Sequence, residues 1–227
     1  MVQISDLKLE WIDHKLSLSD PDQPRLKPFS VDFLTSEFLR RLKEPLSKQL
    51  LIKAIGARSK KSHSGFKVLD ATAGLGTDSV LCAAAGFHVS AFERSPIVFQ
   101  LLQDGVERAL KAEVEWTSRL QIQNEDSFKY MSAQVQTKKE PMDCVYMDPM
   151  YPEAKKAALP RKEMQILRKL LKFESDEVNL KLLEAALAYA GERVVCKRPP
   201  SAPFIGGQKP HHSVSGKAVR YDVYLTK

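Results

Sequence analysis

Val68-Leu69-Asp70-Ala71-Thr72-Ala73-Gly74-Leu75-Gly76-Thr77-Asp78 is the stretch that decides the fold. It grows out of a short apolar run over 66–69, turns on two glycines, and leads into an alanine-rich apolar run over 79–85. Strand, glycine turn and helix in that order open a βαβ nucleotide-binding unit. The glycines tolerate positive φ and leave room for a ligand against the backbone. The first turn of the following helix aims its unpaired N–H groups at the same spot.

Downstream of that turn the pattern alternates. A strand over 89–92 ends at Glu93, and Ser95-Pro96 supplies a cap and first-turn proline for a helix running to about Lys111. A short strand over 120–122 leads to Asp126-Ser127, and a buried strand over 144–147 ends at Asp148. Residues 161–172 and 176–190 have helical spacing, with Gly191 expected to cap the second helix. Strands are expected over 193–196 and 219–225. This order predicts an α/β, Rossmann-like fold with a mainly parallel, doubly wound sheet. Upstream, alternation over 7–18 around Asp13-His14 reads as a β-hairpin, and 29–33 as another short strand. Apolar spacing over 36–55 reads as helix, kinked or split at Pro45. The polar, basic stretch 58–65 reads as a loop. It separates a small α+β N-terminal subdomain (1–60, hairpin plus helix) from the main domain (61–227).

The chain has 227 residues, 43% of them hydrophobic, enough for a packed core. No apolar run approaches the roughly 18–20 residues that span a bilayer, and the first residues lack the basic-then-apolar pattern of a secretory signal. Cys82, Cys144 and Cys196 form no C-x-x-C pair and read as reduced core thiols, as expected of a cytoplasmic protein. The 35 Lys and Arg against 28 Asp and Glu give a net charge of +7, which suits a polyanionic partner such as nucleic acid.

In a doubly wound sheet, ligands bind beyond the C-terminal ends of the strands. Four successive strands here end in a carboxylate: Asp70, Glu93, Asp126 and Asp148. The string lacks the Gly-Lys-Ser/Thr of a P-loop. A dinucleotide site prefers a third glycine, and Ser79 stands there instead. S-adenosylmethionine has no pyrophosphate and needs only a close backbone and acceptors. Glu93 can accept from both ribose hydroxyls, and Asp126 from an adenine amino group. Asp148-Pro149-Met150-Tyr151-Pro152 looks like the Asp/Asn-Pro-Pro-Tyr/Phe motif of amino-methyltransferases. An exocyclic amine is a poor nucleophile because its lone pair is delocalised into the ring. Asp148 and the Pro149 carbonyl can accept its two hydrogens and orient it, and Tyr151 offers a face for the extruded base.

Taken together, Asp70 through Asp78, Glu93-Arg94, Asp148 through Pro152, Lys162-Glu163-Met164 and Val195-x-Lys197-Arg198-Pro199 resemble the RsmJ family of bacterial small-subunit ribosomal RNA guanine-N2 methyltransferases. These are class I S-adenosylmethionine-dependent enzymes. The resemblance runs from about Phe29 to the C-terminal Arg220–Tyr224 region. It implies methyl transfer to the exocyclic N2 of a guanosine in 16S ribosomal RNA, naked or within the small ribosomal subunit, with no metal. It places cofactor contacts on Thr77, Asp78, Glu93, Arg94, Asp126, Ser127 and Asp148, beside Asp70, Gly74 and Gly76 of the turn. This chain has Thr77 where a family member carries arginine, and Asp126-Ser127 where it carries a Ser-Ser pair. Catalysis is expected of Asp148, Pro149 and Tyr151. Lys155, Lys156, Arg161 and Lys162, with Lys197 and Arg198 at a strand end, are expected to bind RNA phosphates. His211 and His212 fall in a stretch over 206–217 expected to be a loop. The rival readings are an amino-methyltransferase acting on another base in RNA or DNA, and a non-catalytic RNA-binding assembly factor on the same fold.

Overall fold

A computed structural model of the chain describes residues 7–23, 26–45, 48–56, 65–150 and 175–226. Two strands, β1 (Lys8–Ile12) and β2 (Lys15–Ser19), form the N-terminal hairpin. Two helices follow, α1 (Ser36–Lys43) and α2 (Leu50–Ile55). The main domain then runs β3 (Lys67–Asp70), α3 (Thr77–Ala84), β4 (His88–Phe92), α4 (Pro96–Lys111), β5 (Leu120–Gln123), α5 (Ser127–Gln136) and β6 (Cys144–Met147). It closes with α6 (Asp176–Tyr189), β7 (Arg193–Arg198), β8 (His212–Ser215) and β9 (Arg220–Leu225).

The seven main-domain strands lie in the order β5-β4-β3-β6-β7-β9-β8. The pairs from β5 through to β7 are parallel, and β9 is antiparallel to both its neighbours. The chain leaves β3 toward β4 and β5 on one side, then returns to place β6 on the other. The crevice between β3 and β6 is therefore the switch in strand order, as the alternating pattern predicts. Each central strand is buried on both faces, which explains its unbroken apolar run. Val68, Cys144 and Tyr146 join one core layer with Val80, Leu101 and Leu102 of α3 and α4. Their neighbours Leu69, Val145 and Met147 join the other layer with Met131 of α5 and Leu183 and Ala186 of α6.

Helix boundaries follow from side-chain chemistry. Ser95 accepts from the Val98 amide at the start of α4, with Pro96 in the first turn. Ser175 does the same for α6 through the Val178 amide. Pro45 divides the helical spacing of 36–55 into two helices, since α1 already stops at Glu44.

Three expectations differ from the structure. Residues 29–33 form a single bridge, not a strand. Phe29 exchanges both hydrogen bonds with Leu18 (2.7 and 2.9 Å), then the Asp32 carboxylate accepts the Leu34 amide and turns the chain away. Gly191 does not cap α6 in a left-handed conformation. Ala190 ends the helix in extended backbone, and the Gly191 amide donates to the Met142 carbonyl at 2.7 Å. The stretch 206–217 is not all loop, because His212–Ser215 is strand β8 on the sheet edge. The helical spacing of 161–172 lies outside the described residues.

The N-terminal segment is tied to the sheet layer. Leu18, Val31, Phe33, Leu51, Ile52 and Ile55 are buried in the same core as Val80, Leu101 and Leu102. The Asp104 carboxylate of α4 accepts from the Leu16 amide of β2 at 3.2 Å.

Candidate active site

At the C-terminal end of β3 the backbone turns through Gly74 (φ 53°) and Gly76 (φ 78°). The turn is stitched to both neighbouring strands, with the Ala71 amide donating to the Tyr146 carbonyl (2.8 Å) and the Ala73 amide to the Phe92 carbonyl (2.9 Å). Asp70 holds it from inside. One carboxylate oxygen accepts from the Thr72 amide at 3.1 Å and the other from the Ser79 hydroxyl. Asp70 is 2% exposed. Burial pushes its carboxyl up to about 7, against the pull of the Ser79 and Thr72 hydrogen bonds. Ser79, at the position of the missing third glycine, is thus the hydroxyl partner of a buried acid.

Beyond these strand ends lies a cavity of about 540 Å³, within the usual range for sites that take nucleoside-sized ligands. Of the residues expected to touch a cofactor, Asp70, Gly74, Thr77, Asp78, Glu93, Arg94, Asp126, Ser127 and Asp148 all line it. Pro149 and Met150 line it too. Gly76 does not: it stands behind the wall, where a Cβ would meet Leu102 Cδ1 at 2.4 Å and Phe33 Cζ at 3.3 Å. Its role is to let α3 approach the core.

Glu93 ties the turn to α4. Its Oε2 accepts from the Gly74 amide (2.9 Å) and its Oε1 from the Ser95 amide (2.7 Å). Burial raises its carboxyl, while those two amides and Arg94 pull it down. Each oxygen keeps a lone pair, so a vicinal diol could still donate to it. Asp126 caps α5, accepting from the Lys129 amide at 3.2 Å, and lines the cavity as well. The buried Ser127 hydroxyl donates to the Ala71 carbonyl at 2.7 Å, bracing the glycine turn from the β5 side.

At the β6 end the Asp148 amide donates to Thr72 Oγ1 at 2.6 Å. The Asp148 carboxylate is bound to Lys197 Nζ at 2.8 Å, and the same Nζ lies 2.8 Å from Asp78 Oδ2. Tyr146 completes the group by donating its hydroxyl to Asp78 Oδ2 at 2.7 Å. Burial raises the Asp148 carboxyl, Lys197 opposes that rise, and Asp78 adds to it.

Lys197 and Arg198, expected to bind RNA phosphates, both make bonds within the protein, and Lys197 lines the cavity. Lys197 turns inward onto two carboxylates. Arg198 is 2% exposed and donates to the Pro203 carbonyl at 3.1 Å. Tyr151, Lys155, Lys156, Arg161 and Lys162 lie outside the described residues. Several contributors escaped the sequence reading. Thr72 inside the decisive string and Ser79 just after it do not reveal their hydrogen-bonding roles until Asp148 and Asp70 are folded against them. Tyr146 reads as a core residue of a buried strand. Arg41 of α1 reaches the cavity from the N-terminal segment, with Val178, Asn179 and Leu182 from the start of α6. Among the described residues no group of three or more His, Cys, Asp or Glu could hold a metal ion. No helix there is long and apolar enough to cross a membrane.

Comparison with known proteins supplies a second line. Residues 2–226 match the family model described as putative SAM-dependent methyltransferase. The ribosomal RNA small subunit methyltransferase J of Desulfotalea psychrophila is 40% identical over 215 residues, covering 92% of this chain and 78% of that protein. The protein of the same name from Pseudoalteromonas atlantica is 42% identical over 218 residues, covering 92% and 81%. Among solved structures, the SAM-dependent methyltransferase NGO1261 from Neisseria gonorrhoeae superposes with a TM-score of 0.72 at 33% identity, covering 94% of this chain and 80% of that one.

Proposed function

Because the chain belongs to this family of S-adenosylmethionine-dependent methyltransferases, we propose that it methylates the exocyclic N2 of a guanosine in small-subunit (16S) ribosomal RNA. The observation that carries the reading is that Asp148-Pro149-Met150 borders the same cavity as Gly74, Glu93 and Asp70. The segment fit to hold an amine thus faces the segment fit to hold a nucleoside. The cavity suits the cofactor chemically. Its wall is rich in carboxylates, which favour a sulfonium and an ammonium. Glu93 keeps lone pairs for the ribose, and exposed Phe128 and Val178 offer apolar surface for a base.

The cofactor supplies an electrophilic methyl group. The chain's own work is to present the amine. Asp148 accepts one hydrogen of the N2 amine and the Pro149 carbonyl accepts the other, which fixes the nitrogen's direction of attack. The Asp148 carboxylate also offsets the positive charge that grows on nitrogen. Tyr151 stacks on the extruded guanine. Lys155, Lys156, Arg161 and Lys162 contact RNA phosphates. A ribosomal RNA substrate and three buried thiols suit the cytoplasm.

The test is transfer of labelled methyl from S-adenosylmethionine to RNA, isolated small subunits and DNA, followed by digestion to nucleosides. The expected product is N2-methylguanosine from small-subunit RNA. A methylated adenine or cytosine, or a DNA product, would favour the reading of another base, and no cofactor binding by calorimetry would favour an assembly factor. Asp148→Ala is expected to lower kcat by about 100- to 1,000-fold while cofactor affinity changes far less. Replacing Lys155, Lys156 and Arg161 by alanine is expected to weaken RNA binding and flatten its salt dependence. An unchanged salt slope would remove those residues from the RNA contact.

A further inference from the structure

Lys197 is a cavity-lining cation that the proposed reaction does not yet use. Its side chain is 29% exposed and its Nζ lies 2.8 Å from both Asp78 and Asp148. We propose that Lys197 is a positioning residue for methyl transfer: its ammonium bridges α3 and β6 across the switch in strand order and holds Asp148 ionised and aimed at the amine. The proposal rests on the role given above to Asp148.

The geometry separates this role from two others. A lysine that served RNA phosphates would present its ammonium outward, and a phosphate here would have to displace two carboxylates. A lysine that served as a base would have to give up its proton. Burial works in that direction, but Asp148 and Asp78 outweigh it and hold the ammonium above its ordinary range. The remaining role is electrostatic.

The surroundings show why a cation is required. Asp148 on the β6 end faces Asp78 of α3, and Asp70 of β3 lies close enough to feel its charge. Tyr146 of β6 and Tyr221 of β9 feel Asp78 and Asp148, and Cys196 of β7 feels Asp148. Lys197 and Arg198 of β7 are the cations that pull the Asp148 carboxyl down. Without Lys197, the Asp148 carboxyl keeps the charges of Asp78 and Asp70 beside it with Arg198 as the remaining cation that pulls it down, and like charges favour protonation. A protonated Asp148 loses an acceptor atom and the charge that offsets the forming ammonium. The bridge also fixes direction. Asp148 is held by its amide to Thr72 and by its carboxylate to Lys197, so the loss of either frees it to rotate.

The experiment compares Lys197→Met and Lys197→Arg with the unaltered protein in four measurements: methyl transfer to small subunits against pH, cofactor binding by calorimetry, RNA binding against salt, and titration of the Asp148 carboxyl by carbon-13 NMR. Lys197→Met is expected to lower kcat about 100-fold near neutrality. Its acidic limb and its Asp148 titration should move to higher pH, with the RNA salt slope unchanged. Lys197→Arg is expected to restore most of the pH profile. A reduced salt slope with an unmoved pH profile would make Lys197 a phosphate contact and overturn the proposal. So would an Asp148 titration that stays where it was. If Lys197→Met does not fold, Lys197→Gln, which removes the charge but keeps a polar group between the two carboxylates, is read in the same way. The NMR titration needs no substrate. If the unaltered protein methylates nothing, the function fails while the Lys197–Asp148 coupling is still judged.

Discussion

Asp70 carries the clearest consequence of burying an acid. Its carboxyl is pushed from an ordinary 3.8 up to about 7, chiefly by burial. Between those values the folded chain keeps a proton that the unfolded chain has lost. This contribution to stability is therefore complete below about pH 4 and is lost as pH rises through about 7. Over that window it amounts to a few kcal/mol, on the order of 1.4 kcal/mol per unit. Asp70→Asn keeps an acceptor for the Thr72 amide and a donor toward Ser79. Its melting temperature is expected to be flatter between pH 5 and pH 8 than that of the unaltered chain, and parallel curves would show that Asp70 does not titrate. The residue scale also marks how far sequence reading reaches. Asp70, Glu93 and Asp148 were legible because each follows an apolar strand, where a carboxylate has no structural reason to be common. Ser79 and Thr72 were not, because a hydroxyl declares its purpose only when its partner, brought by another strand or turn, is known. Lys197 was legible as a charge at a strand end, but its direction was not. Whether a lysine at that place points out to phosphate or in to carboxylate depends on Asp78, over a hundred positions away.

Elements were legible in proportion to how strongly burial shapes their sequence. β3, β4, β6 and β7 are apolar because both faces are covered, and α4 announces itself with Ser95-Pro96. β8 was missed because it is an edge strand with exposed His212, Ser213 and Ser215, so nothing in its composition differs from a loop. The glycine turn was legible as a turn, but its two glycines do different work. Gly74 faces the cavity, whereas Gly76 stands against Leu102 with φ 78°. Gly76→Ala is expected to cost about 1–3 kcal/mol, from backbone strain and overpacking together. The cost should shrink in a Leu102→Ala background, where the Cβ has room. That coupling, read as a double-mutant cycle by denaturant unfolding, separates overpacking from backbone strain. Equal costs in both backgrounds would leave backbone strain alone as the cause.

At the scale of the whole molecule, the loop expected over 58–65 falls almost wholly outside the described residues, while the N-terminal segment before it packs into the same core as the main sheet. Sequence shows where polar residues cluster but not which apolar faces meet. The hairpin, the 29–34 turn and α4 converge on one set of charges. Arg108 of α4 bonds to Asp104 at 2.9 Å, lies 3.2 Å from Asp32, and donates to the Val31 carbonyl, while Asp32 also holds Lys15 of β2. Arg108 is only 15% exposed and Asp104 6%. Burial works to raise the Asp32 carboxyl, but Lys15, the Leu34 amide and Arg108 together hold it below its ordinary range. Removing one partner from such a cluster strands the others, at a cost of about 3–5 kcal/mol. Arg108→Met keeps most of the side-chain volume and removes the charge. It is expected to lower the melting temperature by roughly 6–12 °C for about 3 kcal/mol in a chain of this size. If the N-terminal segment shares one core with the sheet, fluorescence of Trp11 and Trp116 together and far-ultraviolet dichroism should report a single coincident transition in both proteins. An early fluorescence change that leaves the dichroism intact would mean that the segment undocks by itself. Arg41, which α1 carries to the cavity, would then leave with it, and cofactor affinity should fall at the temperature where the first transition begins.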